Sequence, residues 1–584
     1  MTEYFEIHER DGAARLGELR LAESHRTPAL VDDLLVDGGT EWTQERDVPE
    51  GDDSKITILP HRAFPGGTPE EVQDAFAAEY PDVEFPSAAV VHSDTVADHG
   101  TDVYVLSNAQ ELAGHASAFV DAIISVRERI PADTALYLPG VATPATLPMI
   151  VAAGVDLIDS YAARIEGTRG QYLTSNGAQF LEDLEELPCS CPACQQPRTE
   201  FTLQDCADHN ANVLEQELRT VRERIRAGRL RDYLEGQVRH DNWATSVMRQ
   251  FDQQYGYLEQ RTPLIRRANL TAATDDTLRR VEIQRYAERV TSRYHNRFDN
   301  PCVLVPCSAK KPYSESQSHG QFHQAVQFRG HLVSMTSPIG VVPQELELTY
   351  PAQHYDTVVT GHWSETEKTF VSNVLRAYLE RTSYPRIIAH VPDEGYRAIC
   401  ERVEEELGLS FEYTVEEHPT TTESLANLSS TLAGEEKYLK RDRQHNTMRA
   451  MADYQFGDGA GDLLFDEIQT EGRYPKLRAR NTDGEQLAVV VPQYGVLALT
   501  LAGAKRWAAS DAPTKRVEID GFVPHGSVLA PGVVDASDDI RPGDEVVIEG
   551  PKAFGVGRAE MSGPEMVKST RGIATSVRHV EEKK

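Results

Sequence analysis

The chain has 584 residues, 40% of them hydrophobic, with 92 acidic against 59 basic side chains and a net charge of −33. At about 100–200 residues per domain this predicts roughly three to five domains; no apolar run approaches the ~18 residues of a membrane helix, and a terminus charged from its third residue excludes a signal peptide, so a cytoplasmic protein is expected. The acidity is spread along the chain, as in proteins kept soluble by concentrated salt, where the Debye length falls to about 3 Å; it points to a halophilic habitat and does not exclude RNA binding through local basic contacts.

In chain order, "ASAFVDAIISVRERI" (116–130) has helical periodicity and "TALYLPG" (134–140) reads as a buried strand and turn. "TPATLPMIVAAGVDLIDS" (143–160) reads as a helix, a glycine stop and the strand "VDLID". This alternation predicts an α/β domain over 1–240. "HNANVLEQELRTVRERIRAG" (209–228) is a long amphipathic helix ended by glycine. Residues 241–295 continue an arginine-rich, helical connector. A second α/β pattern fills 296–435. Its strands are "CVLVP", "HLVSMTS", "YDTVVTG" and "RIIAHVP", and one helix opens at Ser364 with Glu367 three positions on, a capping box. A small α+β region (436–510) follows, and 511–584 has short β runs between Gly and Pro, a small β-barrel pattern.

The seven cysteines are clustered, and a cytoplasmic chain rarely uses structural disulfides. "CSCPAC" sets Cys189, Cys191 and Cys194 within six residues, which suggests a structural zinc site needing one more N or S ligand. His209 and Cys206 compete for that place. The surrounding text, "DLIDSYAARIEGTRGQYLTSNG" through "LPCSCPAC" to the "HN" helix, resembles the second half of the tRNA-guanine transglycosylase barrel. That resemblance implies a truncated TIM-barrel-like domain and makes His209 the fourth zinc ligand. Transglycosylases carry two aspartate motifs. The second is matched by Asp159 in "DLIDS", but the first has no counterpart, which argues against base exchange. Asp159 then binds a base or serves the fold.

Cys307 follows directly on a predicted strand, in "PCSAKKPYSESQSH" (306–319). Ligands of open α/β sheets sit beyond the carboxyl ends of strands, and neighbouring positive charge favours a nucleophilic thiolate. Composition alone also allows a solvated serine-rich loop. The stretch resembles the signature of the archaeosine synthase family, matched by Cys307, Lys311, Pro312, Tyr313, Ser314, Ser316 and His319. The resemblance implies addition of an amine to the nitrile of 7-cyano-7-deazaguanine in the tRNA D-loop. Free lysine is the donor in members that work with a radical S-adenosylmethionine lyase, and glutamine or ammonia is the other option. Cys307 would attack the nitrile, with Tyr313 or His319 as proton donor; direct amine attack is the alternative. His362 and Trp363 end another strand, where the tryptophan stacks on a base or packs in the core.

The end of the chain, "RPGDEV" then "GVGRA", resembles a PUA domain, an RNA-binding β-barrel. Lys552, Arg558 and Arg571 are candidate phosphate contacts. The expected protein is an α/β multidomain tRNA-modifying transferase with a structural zinc, no membrane segment, and room for a homodimer. A transglycosylase and a non-catalytic tRNA-binding subunit are the rival readings.

Overall fold

The computed structural model describes residues 3–358, 362–393 and 395–583. It divides into two bodies: residues up to 263 with 529–534 and 561–574, and residues 264–528, 535–560 and from 575 onward. Positions 359–361, the end of the expected strand "YDTVVTG", lie outside the described residues.

The first body opens with an antiparallel sheet of β1 (Phe5–Asp11), β2 (Ala14–Arg20) and β3 (Ser24–Thr27). Gly12, at φ +67°, makes the β1–β2 turn. Seven parallel strands follow: β4 (Ala29–Leu30), β5 (Leu35–Asp37), β6 (Ile56–Ile58), β7 (Ser87–Val91), β8 (Val103–Leu106), β9 (Ala135–Tyr137) and β10 (Leu157–Ile158). Their order is β4-β10-β9-β8-β7-β6-β5. The two edge strands, β4 and β5, are consecutive in sequence. Six spacings of ~4.8 Å would hold the edges of a flat sheet about 29 Å apart. The five residue steps from Leu30 to Leu35 span at most about 18 Å. The sheet therefore curls until its edges approach, and the expected truncated barrel is this half-barrel.

Helix Ala116–Arg129 buries Phe119, Val120, Ile123 and Val126 in the same core as Leu136 and Ile158 of the sheet. Beneath the sheet Asp156, 1% exposed, accepts from Arg15 Nε at 3.0 Å and Leu136 N at 2.8 Å, and pairs with Arg127. A hairpin of β11 (Gln171–Thr174) and β12 (Gly177–Phe180) leads through the cysteine loop to helix Leu203–Arg226. That helix begins six residues before His209, because Thr202 and Asp205 form a capping box. The segment expected as a connector is divided. Its first helix, Asn242–Phe251, buries Val247, Met248 and Phe251 in the barrel core, as Leu230–Gln237 before it buries Leu234. These apolar faces join both helices to this body.

The second body holds a five-stranded sheet: β14 (Cys302–Pro306), β15 (His331–Thr336), β16 (Gly340–Pro343), β18 (Ile387–Ala389) and β19 (Phe411–Tyr413), where β13 (Leu270–Ala272) and β17 (Tyr355–Thr357) pair separately. The order is β16-β15-β14-β18-β19, parallel except for β16. Val303 and Val305 of β14 pack with Phe322 of helix Gln317–Val326. Cys302 and Leu304 turn to the opposite core, with Leu375 of helix Glu365–Arg381 and Ile399 of helix Gly395–Leu407. The connection after β14 thus covers one face and those flanking β18 the other. The gap between the carboxyl ends of β14 and β18 is a topological switch point.

A four-stranded antiparallel sheet, Gln469–Arg473 to Val496–Leu499, and helix Leu501–Ala509 follow. Last come Arg516–Ile519, parallel to Glu545–Glu549, and Ala553–Ala559, antiparallel to both Glu545–Glu549 and the closing strand. Among the described residues no helix is long and apolar enough to cross a membrane.

Candidate active site and metal centre

Cys307 is the first residue beyond β14. Its backbone N–H extends the ladder to Met335 O at 3.1 Å, so its side chain is delivered to the switch point by a rigid strand. The half-buried thiol lies 3.3 Å from the hydroxyl of Tyr396, a residue in the first turn of the helix after β18. The Tyr396 ring leans on Trp363, centroids 4.6 Å apart. Burial, then the nearby Cys307, raise the Tyr396 phenol far above its ordinary range, so it is protonated at neutral pH.

Lys311 Nζ sits 3.8 Å over the ring of buried Tyr355. Burial lowers its pKa, and attraction to Cys307 and Asp356 partly restores it. A thiol, an ammonium and a phenol therefore converge at one strand end.

The other signature residues build the loop. Tyr313 is 2% exposed; its hydroxyl bonds Tyr355 Oη at 2.7 Å, and Tyr355 in turn bonds Thr336 Oγ1 at 2.7 Å. Ser314 N–H donates to Glu347 Oε2 at 2.8 Å. Ser316 caps helix Gln317–Val326 by accepting from His319 N at 3.2 Å. His319, 3% exposed, bonds Pro306 O through Nε2 at 3.0 Å and stacks on Tyr313 at 4.8 Å. Since a carbonyl only accepts, Nε2 carries the proton. Burial pushes the His319 pKa down to about 4, so the ring is neutral. Tyr313 and His319 thus hold the loop's shape. Tyr396, Tyr355 and Glu347 were not foreseen from the sequence; Tyr396 could have been, as a polar residue at the start of the helix following the strand beside β14. Trp363 is half-buried against Tyr396, and His362 is exposed.

In the first body, Sγ of Cys189, Cys191 and Cys194 and a ring nitrogen of His209 lie within 4.8 Å of one another and could hold a metal ion. His209 Nε2 donates to Leu173 O at 2.9 Å, which leaves Nδ1 as the ligand, 3.3 Å from Cys194 Sγ and 3.5 Å from Cys191 Sγ. Tyr172 stacks on the ring at 3.7 Å. Burial lowers the His209 pKa and keeps it a neutral donor. The next residue, Asn210, donates to Ala163 O and Gln171 O, both at 2.9 Å, and accepts from Leu173 N at 2.8 Å. Cys206, the competitor, turns to Gln171 O instead.

At the carboxyl ends of the half-barrel strands, Asp32, Asp37, His61, Tyr137 and Tyr161 line a cavity of about 350 Å³. Asp159 stands behind this wall, 1% exposed, accepting from Tyr137 Oη at 2.8 Å, Gly140 N at 2.7 Å and Tyr161 N at 2.9 Å. Lys552 is exposed just before Ala553–Ala559, and half-buried Arg558 lies near the other end of that strand, with its guanidinium 5.8 Å from the Tyr494 ring centroid. Arg571 belongs to the first body.

Four family models match the chain: queuine tRNA-ribosyltransferase over 84–242, a domain of unknown function over 283–432, the patch-forming domain C2 of tRNA-guanine transglycosylase over 446–513, and the PUA domain over 518–580. The chain is 64% identical to archaeosine synthase of Haloferax volcanii and 41% identical to archaeosine synthase subunit alpha of Methanosarcina acetivorans, each alignment covering all of both chains. It is 27% identical to the tRNA-guanine(15) transglycosylase of Methanothermobacter thermautotrophicus, over 79% of this chain and 68% of that one. The switch-point cysteine falls in the matched domain of unknown function.

Proposed function

The chain belongs to the archaeosine synthase family, and on that premise we propose that the switch point at Cys307 is where a tRNA-bound nitrile takes up an amine. The protein is a tRNA-modifying transferase of archaeosine biosynthesis. Its substrate is tRNA carrying 7-cyano-7-deazaguanine in the D-loop, and free lysine is the donor, with glutamine or ammonia as the alternatives. The observation that carries this reading is the convergence of Cys307, Lys311 and Tyr396 at the strand end.

A nitrile carbon is electrophilic. Cys307 attacks it, giving a thioimidate, and the amine displaces the thiol to leave an amidine. The Lys311 ammonium steadies negative charge on the former nitrile nitrogen. Tyr313, Ser314, Ser316 and His319 keep the loop in register. Asp159, 1% exposed and held by three protein donors, shapes the barrel mouth.

The metal at Cys189, Cys191, Cys194 and His209 is zinc with a structural role. A tetrahedron with Zn–S near 2.3 Å and Zn–N near 2.0–2.1 Å has S–S and S–N edges of about 3.8 and about 3.6 Å. The corresponding contacts are 3.6 Å for Cys191–Cys194 and 3.3–3.5 Å to His209, which supports that assignment. The PUA domain grips tRNA, through Lys552, Arg558 and Arg571, near its acceptor end. A radical S-adenosylmethionine lyase as partner, a homodimer and a cytoplasmic setting complete the proposal.

The test incubates the protein with tRNA bearing the nitrile base and labelled lysine, followed by nucleoside mass spectrometry. Covalent label on the nucleoside is expected, and Cys307→Ala abolishes it. Release of the modified base would instead identify a transglycosylase, and binding without either product a tRNA-presenting subunit. Near-normal labelling by Cys307→Ala would leave direct amine attack.

A further inference from the structure

We propose that Tyr396 is the proton carrier of this reaction, moving one proton between Cys307 Sγ and the nitrile nitrogen. The inference rests on the reading of Cys307 as the nucleophile. The phenol of Tyr313 is closed into the Thr336–Tyr355–Tyr313 chain and is 2% exposed. His319 donates its one N–H to the Pro306 carbonyl. Neither presents a proton to a substrate at Cys307. The Tyr396 hydroxyl is 3.3 Å from Sγ. The nitrogen of a thioimidate is two bonds from sulfur, so a donor already beside Sγ is within hydrogen-bond reach of it.

The step balances. As the S–C bond forms, one π bond of the nitrile breaks and its electron pair goes to nitrogen. Tyr396 gives its proton to that nitrogen and recovers the proton that leaves the thiol, giving a neutral thioimidate and an unchanged phenol. In the second half the amine adds to the same carbon and the C–S bond breaks with its pair on sulfur. The proton shed by the amine passes through Tyr396 to the thiolate. Nitrile plus primary amine gives the substituted amidine, with no oxidant, reductant or further reactant.

The surroundings suit a fixed relay. Trp363 braces the Tyr396 ring at 4.6 Å, and a Cβ on Gly395 would come within 3.3 Å of the Trp363 side chain, so the glycine permits that close approach. Burial and the sulfur keep the phenol protonated, as a donor must be.

Tyr396→Phe removes the proton and little volume. It should lower kcat for labelled-lysine addition by about 10²–10⁴-fold, the usual loss for a general acid–base group, with KM for tRNA within a few-fold of wild type. As a second variant, Tyr396→3-fluorotyrosine keeps shape and hydrogen bond but makes the phenol more acidic. Because it retains a transferable proton, it should keep kcat within about tenfold of wild type, where Tyr396→Phe loses far more. A near-wild-type kcat for Tyr396→Phe, or a fluorotyrosine protein as slow as Tyr396→Phe, with Cys307→Ala inactive, would overturn the relay, leave the nucleophile standing and point to Lys311 as the acid. If Cys307→Ala were also active, the nucleophile reading would fail, and the relay with it.

Discussion

Removing the metal should melt one module and spare the barrel beside it. Apart from ligands, the loop that carries the cysteines has a small core: Tyr172, Leu181 and Phe201 are its large buried side chains, joined by Cys206. At about 1.5–3 kcal/mol each, those three contribute on the order of 5–9 kcal/mol. A structural zinc site contributes an apparent ~10–16 kcal/mol, more than this core. The perturbation is Cys194→Ser, or chelation of the wild type. Cys194 is the most informative ligand, because it is the buried thiol facing both His209 and Tyr172. Burial also pushes its thiol up to about 12, so only a bound cation makes it a thiolate near neutrality. Native mass spectrometry checks metal content, and hydrogen exchange reads the amides. Those of Leu181 and Cys194, bonded to Gly170 O and Cys191 O, should lose protection. The amides of Val105 and Leu136, in the barrel core, should keep theirs. If the metal-free protein still protected Leu181 and Cys194, the local core would suffice and the reasoning would be wrong.

Acid should weaken the second body. His319 and His390 are buried, each packed at a steep angle against Phe322, and burial lowers each to about 4; the unfolded chain takes up these protons first, near 6.5. Stability from these groups is intact above about pH 6.5 and falls as pH drops toward 4, by roughly 3 kcal/mol per histidine, so His390→Gln should flatten the dependence of urea midpoint on pH. Asp156→Ala leaves Arg15 and Arg127 buried without their carboxylate and should cost about 3–5 kcal/mol, read as a lower thermal midpoint of the first body. Lys552→Ala should weaken tRNA binding and reduce the slope of log K against log salt by about 0.7–0.9; an unchanged slope would remove Lys552 from the interface.

What could be read from the sequence follows from how local each signal is. The helix opened by Ser364 and Glu367 was legible because a capping box is complete within four residues, and the structure forms it. The same kind of signal, Thr202 with Asp205, opens the helix that carries His209 six residues ahead of that histidine. Strands such as Leu157–Ile158 and Ile56–Ile58 express no alternation over two or three residues. The curl of the half-barrel emerges only once β4 and β5 are known to be opposite edges. His319 looked like surface chemistry because it is polar, yet its ring is buried against Tyr313 and satisfied by Pro306 O; polarity alone does not separate a group that reacts from one that holds a loop. Tyr396 lies 89 residues from Cys307, and no periodicity links them. Topology does: once β14 and β18 are neighbours whose connections leave for opposite faces, the first residue past one strand and the first helical turn after the other must share a crevice. The reactive partner of a switch-point nucleophile is thus to be sought at the start of the helix after the neighbouring strand, however far away it is in sequence.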